Sequence, residues 1–218
     1  MKSNCPYTIC AWFETGDKLL AEGVDSEAVL CTIKRLIVSN APQKGFPLKV
    51  SFLITRKQEF IEVFILFDFF AFCSKHNILF EVSLTSTYAG TSLPQMGYVE
   101  FTCGGKRIDQ KHISDLLGIS HSSFKTDSFI YVFPRYWRGI FGEQEVDNVS
   151  DFIRVIVEKW LKKEKELYYL SQTIDGFSAE VFFRLEGVVN FCFSFSPILL
   201  YSLAKTRTSI RLFIREIL

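Results

Sequence analysis

Basic side chains form two groups that could contact phosphate. They are Lys106, Arg107 and Lys111, followed later in the chain by Arg207, Arg211 and Arg215. The last three recur at every fourth residue, which predicts a basic stripe on a terminal helix over about 198–218. Arg184 is a further candidate, on the polar side of a predicted strand. Because such groups donate hydrogen bonds to phosphate oxygens, all seven are candidate nucleic-acid contacts; solvated surface positions are the other interpretation.

Cysteine and histidine side chains could together hold a metal, since thiolates and imidazoles bind Zn²⁺. Cys5 and Cys10 with one of His76, His112 or His121 would make such a group. However, the six cysteines have no Cys-x-x-Cys pair and lie among apolar runs, which is typical of reduced, buried thiols. The sequence therefore predicts a reducing compartment and neither a metal nor a cofactor.

The composition is that of a folded protein with little net charge. The 218 residues are 48% apolar, with 25 basic and 24 acidic side chains, so the basic excess typical of nucleic-acid binders is missing. The first residues lack the apolar run of a signal peptide, and secretion is not expected. The 23 phenylalanines fit a thymine-rich coding strand, as in some organelle genomes, and on that ground we expect a mitochondrial location.

Hydrophobic periodicity predicts an α+β fold. Helices are expected at about 26–39, 58–75, 108–117, 134–142, 150–165 and 198–218. Strands are expected at about 49–55, 80–85, 98–103, 167–173, 179–185 and 188–196. The second and third of these strands should pair as antiparallel neighbours. Within the uncharged run 187–204, residues 191–196 alternate with period two, so we expect no membrane insertion.

The same ingredients recur in a similar order along the chain. We therefore expect two pseudosymmetric halves, residues 1–125 and 126–218. Each predicted strand has one apolar and one polar side, which predicts in each half an antiparallel sheet covered by helices on one side, with the other side wet.

One stretch has a more specific pattern. The run 113–124 has the glycine of a helix-turn-helix, but the extended run before Pro134 argues against a recognition helix. The wider run 99–141 resembles LAGLIDADG homing endonucleases. The matching residues are Leu117, Gly118, Ile119, Lys125, Pro134, Trp137, Arg138, Gly139, Ile140 and Phe141. The resemblance implies that two motif helices pack at a central seam, with Gly139 on one and, from a weaker copy at 9–17, Ala11 on the other.

The resemblance implies metal-dependent DNA cleavage only where each motif helix ends in an acid. At those positions this sequence has Gly16 and Gln144, neither of which offers the carboxylate that a hard cation prefers. A shift of one residue would supply Asp17 with Glu143 or Glu145. An active, Mg²⁺-dependent endonuclease that cleaves double-stranded DNA with Asp17 and Glu145 is therefore the alternative. A solvated acidic turn is the simpler interpretation of the glutamates.

The resemblance thus implies a catalytically inactive LAGLIDADG-like scaffold without a cofactor. Its surface would be reused to bind structured RNA or a ribonucleoprotein, for example in an organelle ribosome or in intron splicing. The predicted wet face mixes Lys49, Arg184 and Tyr98 with several glutamates, and RNA recognised by its shape tolerates that mixture better than a long DNA duplex. A protein-interaction module with no nucleic-acid role is the third hypothesis, which the near-zero net charge permits.

Overall fold

The computed structural model describes residues 5–55, 60–85, 95–106, 109–118, 136–145, 148–188 and 190–215. Within these ranges the chain forms ten strands and six helices. The earlier elements are β1 (Tyr7–Trp12), β2 (Lys18–Gly23), α1 (Ser26–Lys44), β3 (Lys49–Thr55), β4 (Phe60–Ile65), α2 (Phe67–Lys75) and β5 (Leu79–Thr85). The later elements are β6 (Met96–Gly104), α3 (Gln110–Leu117), β7 (Tyr136–Glu145), α4 (Val149–Leu161), α5 (Glu164–Thr173), β8 (Ser178–Glu186), β9 (Phe191–Phe195), α6 (Pro197–Lys205) and β10 (Thr208–Arg215).

The strands form two five-stranded sheets with the same topology. Sheet A has the order β2-β1-β3-β5-β9, and sheet B has the order β7-β6-β8-β10-β4. Each sheet takes four strands from one part of the chain and its last strand from the other, so β4 and β9 are exchanged. The α+β class is confirmed. The prediction of antiparallel sheets is wrong, because β3 pairs with β5 and β8 with β10 in parallel. In each case one exchanged strand and one helix return the chain to its sheet in the original direction.

The pairing also groups the chain into two halves. The expected boundary after residue 125 lies outside the described residues and stays a prediction. Strand β6 precedes that point, yet it pairs with β7 and β8, which follow it. We therefore call residues 5–85 the first half and residues 95–215 the second half.

A continuous hydrophobic core lies along the inner sides of both sheets. On β3 the side chains of Val50, Phe52 and Ile54 are buried, and those between them are half-buried. In the second half Trp160 of α4 stacks on Phe101 with ring centroids 4.5 Å apart. The alternation predicted for these strands is confirmed, and it gives each sheet a buried inner side and an outer side.

Local signals fixed several helix ends as predicted. The Asp25 carboxylate accepts a hydrogen bond from the Ala28 N–H at 2.7 Å and starts α1. Gly118, with φ 64°, ends α3 in the left-handed conformation that glycine adopts without a side-chain clash. Helix α1 runs five residues further than predicted, with Pro42 in its last turn.

Two segments predicted as single helices each contain one helix and one strand. The segment 58–75 contains β4 and then α2, and the segment 198–218 contains α6 and then β10. In β4 the buried Ile61, Val63 and Ile65 alternate with Phe60, Glu62 and Phe64. Apolar residues on both sides of the strand hid the period of two from the sequence analysis.

Three further predictions are wrong. The expected helix at 134–142 falls on strand β7, and the expected strand at 167–173 falls on helix α5. The strands near 80–85 and 98–103 are not neighbours, because β5 lies in sheet A and β6 in sheet B. Pairing between distant segments, which a local pattern does not contain, decided each case.

Candidate interaction surfaces

Three of the predicted phosphate contacts lie at one end of sheet B. The backbone N–H of Lys106 donates to the Asp175 carbonyl oxygen at 3.0 Å, and the Arg207 guanidinium donates to the Phe177 carbonyl oxygen at 3.5 Å. Both basic residues therefore border the turn that leads into β8. Lys111 is exposed in the first turn of the nearby α3. We call Lys106, Lys111 and Arg207 the basic end; the structure joins here two groups that are far apart in the sequence.

One cation of the basic end is already paired. The Lys106 ammonium lies 2.6 Å from the Asp175 carboxylate, and this hydrogen bond lowers the pKa of Asp175 and raises that of Lys106. Both side chains are exposed, so water and salt screen the pair. The positive charge of this end therefore rests mainly on Lys111 and Arg207. Arg107 lies outside the described residues.

Arg211 is committed to contacts within the protein. From the outer side of sheet B it reaches Glu62 and Glu180, each at 3.1 Å, and its guanidinium lies 4.6 Å from the centre of the Phe64 ring. Its side chain is only 14% exposed. Burial raises the pKa of Glu180, against the charge and hydrogen bond of Arg211, which lower it. This arginine holds strands together rather than facing a ligand.

The predicted helical stripe is wrong for all three of its arginines. Arg211 and Arg215 lie on β10, and Arg207 lies in the turn before it, with φ 50°. A spacing of four residues places side chains on one side of a strand as well as on one side of a helix, which explains the error. Arg184 lies on β8 and pairs with Glu186, two residues along the same strand.

The predicted helix seam is also wrong in its position. Ala11 is buried in strand β1, and Gly139 lies in strand β7, which belongs to the other sheet. The helices that do pack against each other are α2 and α6. Each follows an exchanged strand, so a central helix pair exists, but it is built from other segments.

The two acids of the alternative metal site belong to segments of different sheets. Asp17 belongs to the turn between β1 and β2, where its carboxylate lies 3.1 Å from the Lys44 ammonium. The hydrogen bond and charge of Lys44 lower the pKa of Asp17. Glu145 ends β7, where its backbone pairs with Met96. Among the described residues, no group of three His, Cys, Asp or Glu side chains could hold a metal ion.

The cysteines and histidines are dispersed. All six thiols are free; Cys73 and Cys103 are buried, and burial raises their pKa values. His76 stacks on Phe46 with ring centroids 3.6 Å apart, and His112 lies on α3. His121 lies outside the described residues. The zinc group considered from the sequence therefore has no geometric support.

The outer face of sheet A is open and belongs to the wet side that the strand pattern predicts, although the sequence analysis did not single out its residues as members of that side apart from Lys49. Its side chains point away from the core on all five strands and are half-buried or exposed. They are Thr8, Cys10, Trp12, Lys18, Leu20, Glu22, Lys49, Ser51, Leu53, Thr55, Leu79, Glu81, Ser83, Thr85, Cys192 and Ser194. The two lysines and two glutamates cancel, so the face has no formal net charge. Small hydroxyl and thiol groups dominate the remainder.

A shallow depression of about 390 Å³ lies in this face. Trp12 stands beside it and is 42% exposed, and Leu53 and Ser83 line its far side. At its edge the Lys49 ammonium lies 2.8 Å from Glu81. Burial acts to raise the pKa of Glu81, but the hydrogen bond and charge of Lys49 outweigh it and the pKa is lowered.

The thiols of this face are poor nucleophiles. Burial raises the pKa of Cys10, and burial together with Glu81 raises that of Cys192. Both are therefore protonated at neutral pH, and the thiolate that attacks electrophiles is scarce. The arrangement offers contact area, hydrogen bonds and an aromatic side chain rather than a reactive group.

Comparisons with family models, with curated proteins and with solved structures found no match to this chain. In the described part of the chain, no helix is both long enough and apolar enough to cross a membrane.

Proposed function

We propose that the protein is a binding module that holds another protein on the outer face of sheet A. The observation that carries this proposal is the open surface across five strands, whose formal charges cancel. None of the helices in the described ranges covers it, and Trp12 and Leu20 are 42% and 52% exposed. Protein interfaces combine aromatic and apolar contacts with hydrogen bonds; Trp12 and Leu53 offer the former here, and the hydroxyls of Ser51 and Ser83 the latter.

Charge also favours a protein over a nucleic acid at this face. A phosphate backbone is bound by unpaired cations, whose number sets the affinity. Here Lys49 is paired with Glu81, and Glu22 offsets Lys18. A protein partner needs no such excess, and its apolar side chains could fill the depression beside Trp12.

Site-specific photo-crosslinking in the native cell tests the proposal. A photoreactive residue replaces Ser51 or Ser83 on the face, and Val155, which is 54% exposed on α4, in the matched control. We expect one protein to be crosslinked from both face positions and not from the control. With that protein purified, Leu53→Arg should weaken binding at least tenfold, while Val155→Arg leaves it unchanged. Equal labelling from face and control positions, or labelling lost after ribonuclease treatment, would contradict the proposal.

Structured RNA, or a ribonucleoprotein, is the second candidate partner, and the basic end favours it. Lys106 and Arg207 border one turn there, Lys111 lies in the first turn of α3, and RNA shape can be recognised through a few such phosphate contacts. This candidate includes the degenerate LAGLIDADG ancestry and the organelle ribosome or splicing role as proposals. The two segments that carry the resemblance lie in strands, so they do not form the helix pair that it implies; the central helix pair is α2 and α6.

The RNA candidate is tested by the salt dependence of binding to an RNA stem-loop. Replacing Lys106, Lys111 and Arg207 together with Gln should weaken binding and lower the slope of log K against log salt by about 2. The control is Arg154→Gln, which removes an exposed cation paired with Asp151 on α4. A flat isotherm at every salt concentration would exclude the RNA role.

A further inference from the structure

The two halves correspond residue by residue around the exchanged strands. Residues 60–85 match residues 190–215 with a constant shift of 130, and each segment runs strand, helix, strand. Buried and outward positions alternate in the same order over 80–85 and 210–215. Asn77 and Arg207, equivalent under this shift, are the only two non-glycine residues with positive φ in the described chain, at 54° and 50°. The second half is therefore built on the same plan as the first.

The contacts that join the halves are reciprocal. Strand β4 of the first half pairs with β10 of the second, and β9 of the second half pairs with β5 of the first. Between these ladders, α2 packs against α6. We call these three contacts the seam. Each half supplies one strand to its partner and accepts one strand from it.

Charge disfavours a seam between two first halves. In sheet B, Arg211 of the second half meets Glu62 of the first at 3.1 Å. At the equivalent place in sheet A, Glu81 of the first half faces Ser194 at 3.2 Å and Cys192. The constant shift makes Glu62 equivalent to Cys192. Two first halves joined in the same way would place Glu62 against Glu81, and like charges at that distance repel.

We propose that a second copy of this chain can occupy the seam through reciprocal exchange, with the first half of each copy joined to the second half of the other. Every seam contact forms equally well within one chain or between two. Only the connection differs: ten residues, 86–95, separate β5 from β6 and span at most about 35 Å when extended. A short connection gives an effective concentration in the millimolar range, so the exchanged dimer should grow only at high protein concentration.

The full-length chain, with a protease site inserted within 86–94, tests the proposal. An equal mixture of unlabelled and isotope-labelled protein is refolded from urea at about 10 μM and about 1 mM. We expect monomer at the lower concentration and a dimer fraction at the higher one, measured by light scattering. After cleavage the dimer should fall to particles of monomer mass, many holding halves from differently labelled chains. Monomer at both concentrations, or a dimer that keeps its mass after cleavage, would overturn the proposal.

The cleaved particles also test specificity. Native mass spectrometry should find one first half and one second half in every particle. Glu62→Gln should speed the exchange of halves about tenfold, whereas Glu22→Gln, on the outer face of sheet A, should leave the rate unchanged. Particles with two first halves, or equal rates for the two variants, would contradict charge selection at the seam.

Discussion

Equivalent positions in the two sheets hold an ion pair with the charges reversed. In sheet A, Lys49 on β3 lies 2.8 Å from Glu81 on β5. In sheet B, Glu180 on β8 lies 3.1 Å from Arg211 on β10. The strand registers place the two pairs at matching points of the shared topology. The shared sheet topology therefore accommodates the ion pair with the acid on either of the two parallel strands.

The surroundings of the two pairs differ more than their geometry. Glu180 and Arg211 are 15% and 14% exposed, whereas Lys49 is 35% exposed. Arg211 also forms an ion pair with Glu62 on the exchanged strand β4. Glu81 contacts the exchanged strand β9 only through the Ser194 hydroxyl, at 3.2 Å, and its pair with Lys49 borders an open face. The ion pair of sheet B thus supports the contact between the halves, whereas that of sheet A lies beside an accessible surface.

The largest expected effect tests the hydrophobic core that the two halves share. Phe195 and Ile65 occupy equivalent buried positions on the two exchanged strands. Phe195→Ala should lower the free energy of unfolding by about 4 kcal/mol and Ile65→Ala by about 3 kcal/mol. Because the core is continuous, urea unfolding should stay a single transition by circular dichroism and by fluorescence. Two separate transitions would show that the halves unfold independently; the exposed Thr85→Ala is the control.

The next effect tests the difference between the ion pairs. Arg211→Ala leaves Glu180 largely buried without its cation and should cost about 3 kcal/mol. Glu81→Ala removes a partly exposed group beside a more exposed lysine and should cost less than about 1 kcal/mol. Urea midpoints at unchanged m-value measure both costs. Equal losses of stability from the two substitutions would contradict the difference between the ion pairs of the two sheets.

A smaller effect concerns the equivalent turns. Arg207 is held at φ 50°, where most side chains are strained, whereas asparagine, as at position 77, is better tolerated. Arg207→Gly should therefore raise the free energy of unfolding by about 0.5 kcal/mol. Asn77→Gly should change it less. A loss of stability in Arg207→Gly would mean that the guanidinium contact with Phe177 outweighs the backbone strain.

The smallest effect is the pH dependence of stability, which should have opposite signs for Glu81 and Glu180. The lowered pKa of Glu81 means that its contribution, present at neutral pH, is lost as the pH falls through its folded pKa. The raised pKa of Glu180 has the opposite effect, since the folded protein then binds the proton more tightly than the unfolded chain. Between pH 7 and 4, wild-type stability should fall relative to Glu81→Gln and rise relative to Glu180→Gln. If both stability differences changed in the same direction with pH, the opposite pKa shifts of Glu81 and Glu180 would be contradicted.

The sequence predicted the elements whose signals are local. Strand β3 alternates cleanly, Asp25 marks the start of α1 and Gly118 marks the end of α3. Strands β4 and β10 were missed, because their partners lie far along the chain and apolar residues occupy both of their sides. Hydrophobic periodicity does not separate such a strand from a buried helix.

The candidate surfaces were harder to predict than the elements. On the outer face of sheet A, Ser51 and Ser83 belong to no motif, and only strand pairing brings them beside Trp12. The arginines were predicted to contact nucleic acid, which stays a prediction, and the carboxylates that neutralise Arg211 come from two other strands. The amino-acid composition gives the number of charged side chains but not which of them form ion pairs.

Two serine hydroxyls accept hydrogen bonds from backbone N–H groups of the exchanged strands β4 and β9. The Ser26 hydroxyl accepts a hydrogen bond from the Phe64 N–H at 3.1 Å, and the Ser150 hydroxyl accepts one from the Cys192 N–H at 3.3 Å. Both N–H groups lie on strands at the margin of a sheet. Without these serines, the margins would offer free donors to any extended chain nearby, the first step of amyloid-like growth. Two hydroxyl groups thus help to keep the molecule from aggregating.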